Sequence, residues 1–269
     1  MKYCRFLLDN QIRYGAVDDR DGELWITGPA PIPEEDLACR LARAQSGQGE
    51  SGFDPMPLSK ADLLPPVTPS KIVCVGRNYR DHVRELGNEM PAEPLLFFKP
   101  PSSLLAPGGV VRLPGASSRV DFEGELALVI GRRVRNLKPG MNLRDIIRGC
   151  TLADDVSARD LQKKDGQWTR AKGFDTFCPV GPWVTSNFDP ATATVITRLN
   201  GEEKQHGSTS DLIFDIATII RYISQAMTLY PGDLIATGTP AGVGPMKADD
   251  TVSGEITGLG VLENPVAAE

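Results

Sequence analysis

Apolar positions in this chain fall into short runs closed by glycine, proline or charged residues, the pattern of a sheet-rich protein. Tyr3 to Asp9, Arg13 to Val17 and Glu23 to Thr27 predict short strands separated by turn residues. Glu34 to Ala44 places Leu37, Leu41 and Ala44 at helical spacing behind an acidic start, which predicts a helix. The stretch Gln45 to Met56 is rich in Gly, Ser and Gln, and Pro65-Pro66 with Pro69 closes the segment. Residues 1–69 therefore read as a small N-terminal unit and residues 70–269 as the main domain.

In the main domain, Lys71 to Val75 predicts a strand that runs into Gly76-Arg-Asn-Tyr79 and a short helix ending at Gly87, with Asp81 as its cap. Pro94 to Pro100 sets Lys99 at the end of an apolar strand, where a lone cation calls for an anion. Leu126 to Ile130 is continuously apolar, as in a strand buried on both faces. Gly149 to Asp155 predicts another strand ending in acid, with Ser157 capping a helix that carries Arg159 and Gln162. Thr194 to Asn200 and the turn at Gly201 suggest a hairpin that leaves His206 in an exposed turn. Ser210 is expected to cap the clearest helix, striped by Leu212, Ile213, Ile216, Ile219, Ile220, Ile223 and Met227. Asp233 to Gly244 gives a strand and a glycine-rich turn. The class is α+β, mostly β.

Composition narrows the function. The hydrophobic share of 41% and charged share of 24% suit a globular chain with a sizeable core. A net charge of -6 argues against nucleic acid or an anionic membrane as partner. Five cysteines, odd in number, scattered and without a Cys-x-x-Cys pair, support neither a disulfide framework nor a zinc site. With no signal-like or membrane-length apolar stretch, the expected location is cytoplasmic. No phosphate-binding loop and no Gly-x-Gly-x-x-Gly after a strand are present, so no nucleotide cofactor is expected.

The chemistry concentrates in Val120 to Gly131. Asp121, Glu123 and Glu125 precede the apolar run at a spacing of two, which on a continuous strand points all three carboxylates to one side. Such a set entering a buried region needs a cation or several donors; the alternative is a solvated strand start. His82 and Glu85 lie three apart on the short helix, where a carboxylate can orient an imidazole as a general base. A surface His–Glu pair would look the same.

Taken in order, these stretches resemble the fumarylacetoacetate hydrolase family, including its acylpyruvate hydrolases, oxaloacetate decarboxylases and 2-hydroxyhepta-2,4-diene-1,7-dioate isomerases. The matching motifs are Gly76-Arg-Asn-Tyr79 with His82 and Glu85, Phe98-Lys-Pro100, Phe122-Glu-Gly-Glu125, Asp155-Val-Ser-Ala-Arg-Asp-Leu-Gln162, Ala171-Lys-Gly173 and Thr237-Gly-Thr-Pro-Ala-Gly-Val-Gly244. The resemblance implies a mixed β-roll with flanking helices, commonly a homodimer. It implies a divalent cation on Glu123, Glu125 and Asp155, an active-site Lys172 and a catalytic dyad of His82 and Glu85. Arg77, Tyr79, Arg159, Gln162 and Thr239 are the expected substrate contacts. Asp121 is left as a supporting residue, and Asp154 would point the other way. An all-oxygen set selects Mg²⁺ or Mn²⁺, with Ca²⁺ compatible.

The chemistry so implied is enolate formation from a pyruvate-containing diacid, with the cation as Lewis acid. Acylpyruvate C–C hydrolysis or oxaloacetate-type decarboxylation is the leading expectation. Isomerisation of a hydroxydiene diacid is the alternative, and a non-catalytic binding module the remoter one. Arg77, Arg80 and Arg84 either meet a distal carboxylate or are ordinary solvated arginines.

Overall fold

The computed structural model describes residues 1–46 and 52–269. Residues 47–51, part of the glycine- and serine-rich stretch, lie outside the described residues. Among the described residues, a mixed, mainly antiparallel sheet of twelve strands is joined by one sheet of five strands and one of three. Along its main path the large sheet runs Met56–Pro57, Glu23–Pro29, Gln11–Arg20, Lys2–Leu8, Cys178–Thr185, Ile147–Asp154, Gly124–Ile130, Leu234–Ala236, Ile72–Gly76 and Leu95–Lys99. The N-terminal strands thus continue the main sheet, with Lys2 and Tyr3 opposite Thr185 and Val184. A cluster around Cys4, Phe6, Val17 and Ile26 packs that region and takes in Trp183 from the remainder of the chain.

Strand alternation explains the layers. Leu126, Leu128 and Ile130 point into the main core with Val195, Ile256 and Leu262 of the five-stranded sheet. Ala127 and Val129 point the opposite way, into a core shared with Tyr3, Ile72 and Cys74. All of Gly124–Ile130 is buried, as a strand covered on both faces must be. The same parity sends Gly124 towards the five-stranded sheet and Glu125 away from it. Gly124 has no alternative there, since a Cβ would lie 2.0 Å from Thr197 Oγ1.

Helix starts are where the sequence reading needs correction. The apolar helix spans Ile216–Ala226 and is capped by Asp215, whose carboxylate accepts from Thr218 N, not by Ser210. Leu212 and Ile213 lie outside the helix and its stripe, Leu212 buried in the main core and Ile213 N donating to Asn78 O. Asp81 lies inside the Arg80–Glu85 helix, and Tyr79 stands at its start with no side-chain cap. Ser157 is on a short strand and donates to Asp155 O, while the Arg159–Asp165 helix begins after Ala158. His206 is exposed, but on the Glu202–Ser208 strand and not in the turn.

Ile216, Ile219, Ile220 and Ile223 are buried against the main core, so that helix owes its position to packing. Asp215 fixes where it begins. Replacing Asp215 with Ala is expected to cost about 1 kcal/mol, lowering Tm by about 2–4 °C for a chain of this size in calorimetry.

Candidate active site

The chain changes sheets at Glu123. Val120–Phe122 belongs to the three-stranded sheet and Gly124–Ile130 to the twelve-stranded one. This break separates the three carboxylates that period two would align. Asp121 turns to Arg119 Nε and Arg159 Nε, each at 2.9 Å. Glu123 and Glu125 instead converge with Asp155, one oxygen from each lying within 4.8 Å of the others. The kink is pinned from the neighbouring strand end: Glu123 N donates to Asp154 Oδ1 at 2.7 Å, and Asp155 N donates to Glu123 O at 2.8 Å.

Three cations meet this cluster. Lys172 Nζ donates to Glu123 Oε2 and Asp155 Oδ2, both at 2.7 Å, and lies 5.0 Å from the Phe97 ring centroid. Lys99 Nζ donates to Asp155 Oδ1 at 2.6 Å and to Val156 O at 3.1 Å. Arg159 pairs with Glu123 Oε1 as well as with Asp121. Burial alone would raise the pKa of Glu123, but Arg159 and Lys172 outweigh it and hold the carboxyl well below the usual range. Burial likewise works against the Lys172 ammonium, and Asp155 and Glu123 overcome it, so Lys172 stays charged.

Glu125 is the exception. Burial, then the negative charges of Asp155 and Glu123, push its pKa well above the carboxylate range. Its Oε2 accepts from Gly238 N at 2.7 Å, and no Lys or Arg pairs with it among the described residues. Gly238 adopts φ +104 with Asn78 Cβ 2.8 Å from where a Cβ would sit, so only glycine brings that N–H to the carboxylate. A divalent cation would supply the missing countercharge. Buried, convergent and all-oxygen, the set fits a hard cation such as Mg²⁺ or Mn²⁺.

These carboxylates line a cavity of about 260 Å³ together with His82, Arg159 and Lys172. His82 is buried, and its Nδ1 faces Glu85 Oε2 at 3.3 Å, leaving Nε2 as the ring nitrogen open to a ligand. Glu85 also accepts from Gly242 N at 3.0 Å, tying the short helix to the glycine-rich turn. A larger cavity of about 560 Å³ between Met141–Arg144 and Asn187–Ala191 contains none of these groups, so chemistry and not volume marks the site.

The family described as fumarylacetoacetate (FAA) hydrolase C-terminal matches residues 71–267. The chain belongs to the fumarylacetoacetate hydrolase family. Its relatives include protein Rv2993c of Mycobacterium tuberculosis, 48% identical over 95% of this chain and 98% of that one. The human mitochondrial oxaloacetate tautomerase FAHD2A is 43% identical over 78% of this chain and 71% of its own. Among solved structures, the 2-hydroxyhepta-2,4-diene-1,7-dioate isomerase of Mycobacterium marinum aligns with a TM-score of 0.86 at 42% identity, covering 100% of this chain and 99% of that one. The α+β, mostly β class read from the sequence agrees with this family fold.

Residues expected from the family motifs do not all meet in the cavity. Glu123, Glu125, Asp155, His82, Lys172, Arg77, Arg159, Gln162 and Thr239 line it, whereas Glu85 supports His82 from beside it. Arg77 stands in the left-handed region at φ +56, a conformation that costs energy outside glycine. Gln162 Oε1 accepts from Arg159 Nη1. Tyr79 is not in the cavity wall; it is buried in the main core and bridges to Leu212. Lys99 was legible only as a cation in need of an anion, and that anion is Asp155. Gln205 escaped notice in the polar run Glu202 to His206. It accepts from Gly124 N and donates to Thr239 Oγ1 and Pro240 O, clamping the carboxylate strand to the glycine-rich turn.

A raised carboxyl pKa has a definite stability signature. Below its ordinary value near 4.5, Glu125 is protonated folded and unfolded alike, and nothing is lost. As pH rises above 4.5 the unfolded chain releases that proton while the folded chain keeps it, so this group lowers stability until pH passes its folded pKa. Metal-free Glu125→Gln should therefore lose less stability than wild type between pH 4.5 and neutrality in pH-dependent melting. Mn²⁺ should raise the Tm of the wild type and not that of the variant.

Proposed function

We propose that this protein is a divalent-cation-dependent enzyme that moves protons on 2-oxo or 2-hydroxyenoic diacids through an enolate. The observation that carries this reading is one cavity holding three convergent carboxylates, His82 backed from outside by Glu85, and a charged lysine. Glu123, Glu125 and Asp155 would hold the cation. When bound, it would act as a Lewis acid on the carboxylate and C2 carbonyl oxygens of the substrate. The names of the relatives support isomerisation or tautomerisation as the outcome, above the cleavage reactions expected from the sequence.

The residues divide the work by charge. His82, with Glu85 stabilising the imidazolium, takes a proton from C3 through Nε2, and the electron pair moves onto the C2 oxygen. Lys172 is a fixed positive charge beside the cluster that stabilises the developing enolate oxygen, and the His82 imidazolium returns the proton it took. Protonation of the enolate at oxygen gives a tautomer, and at the far end of a conjugated diene an isomer. Arg159, braced by Asp121, holds the bound acid in register, and Arg77 at the cavity wall is the cation offered to a distal carboxylate.

The same base can activate water, so hydrolysis of an acylpyruvate is the second reading, favoured by the burial of His82 against Glu85. A panel of oxaloacetate, acylpyruvates and a hydroxydiene diacid, each with Mn²⁺ and with chelator, separates the outcomes. Keto–enol exchange or diene isomerisation, followed by ultraviolet absorbance, is expected to exceed pyruvate release. Glu123→Gln should abolish turnover, and His82→Ala should lower kcat by about 10²–10⁴. Full turnover in Glu123→Gln would refute the cation-dependent reading.

A further inference from the structure

On the side of the carboxylate strand opposite to Glu125, the two larger sheets enclose a further, much smaller cavity of about 10 Å³. Gly124 and Asp154 line it from one sheet, and Thr197, Gly254 and Asn264 from the other. Three of its side-chain atoms are buried without a partner among the described residues: Asp154 Oδ2, Thr197 Oγ1 and Asn264 Oδ1. Their orientation is set elsewhere. Asp154 commits its Oδ1 to Glu123 N, and Asn264 commits its Nδ2 to Ala106 O and Gly109 O at 2.9 and 2.8 Å. With its donors so used, Asn264 presents only its oxygen to the cavity.

Two acceptors and one hydroxyl donor around a volume of about 10 Å³ are complementary to one water molecule. Its two hydrogens would serve Asp154 and Asn264, and a lone pair would accept from Thr197. We propose that this cavity is a single-water site and that Asp154, held by that water, is a positioning residue for the carboxylate cluster. The chain of contacts is short. Water holds Asp154 Oδ2; Asp154 Oδ1 holds the Glu123 amide; Glu123 O accepts from Asp155 N, so both carboxylates share one anchor. Gly124 is part of the device, because any side chain there would occupy the position of the Thr197 hydroxyl. Only the last link, to a bound cation, rests on the function proposed above.

The test begins with crystals of the full chain grown without divalent metal, at a resolution that defines ordered solvent. Wild type should show one water within hydrogen-bond distance of Asp154, Thr197 and Asn264. Thr197→Val should lose that water and the Asp154–Glu123 hydrogen bond, and Thr197→Ser should restore both. A dry cavity in wild type, or a valine variant that keeps the water and the bond, overturns the proposal. These outcomes involve no metal and stand even if the carboxylates hold none. Where titration calorimetry finds Mn²⁺ bound to wild type, Thr197→Val should weaken it about tenfold, with Thr197→Ser near wild type. Equal Mn²⁺ affinity in the valine variant would overturn the positioning role.

Discussion

Buried charge is the constraint on which this structure turns. Asp121, Glu123, Glu125, Asp154 and Asp155 are all nearly inaccessible, against three buried cations, Lys99, Arg159 and Lys172. Desolvating any of these alone would cost several kcal/mol, so each must be met by an opposite charge or by oriented donors. The fold supplies them from separated places: Lys99 from an outer strand of the large sheet, Arg159 and Lys172 from two short helices, and Gly238 N from the glycine-rich turn. The ion pairs therefore tie distant segments together around one point. Among the described residues, Glu125 is the member left without a cation, and that is the deficit the proposed divalent ion would fill.

The break at Glu123 gives the cluster its shape. A continuous strand would have aimed Asp121 with the other two carboxylates, adding a further negative charge to the same space. By switching sheets, the chain keeps Asp121 as a brace for Arg159 while Glu123 and Glu125 face the cavity. Gln205 and Thr239 then fix the Gly124 backbone from a third direction, Gln205 accepting from its N–H and Thr239 donating to its carbonyl.

Much of this was legible in the sequence, and the reasons for success and failure are physical. Continuous apolar runs located the central strands, because a strand covered on both faces has no polar position to alternate with. Resemblance to the family's motifs singled out Glu123, Glu125, Asp155, His82 and Lys172, and the structure draws those five to one cavity. Helix starts were misjudged where several Ser and Asp side chains competed to cap. Asp215 prevails over Ser210 because Asn78 holds Ile213 and Phe214 by hydrogen bonds outside any helix, a long-range contact invisible to local pattern. Tyr79 was placed with the substrate because it sits in a motif, yet its partners are core residues from elsewhere. Gln205 left no signal, since a buried glutamine in a polar hairpin looks like an exposed one until the opposite sheet is in place.

Glu85 does double duty. One carboxylate both faces the His82 ring and accepts from Gly242 N across the cavity edge. The Arg80–Glu85 helix is a single short element, so it cannot swing away from the turn without Glu85 leaving Gly242. His82 rides on the same helix, so the pair would travel as one body and keep its mutual contact. Gly242 N is thus a clasp on the pair as a whole: it sets how far the imidazole stands from the carboxylates on the central strand, while the spacing within the pair is fixed by the helix alone.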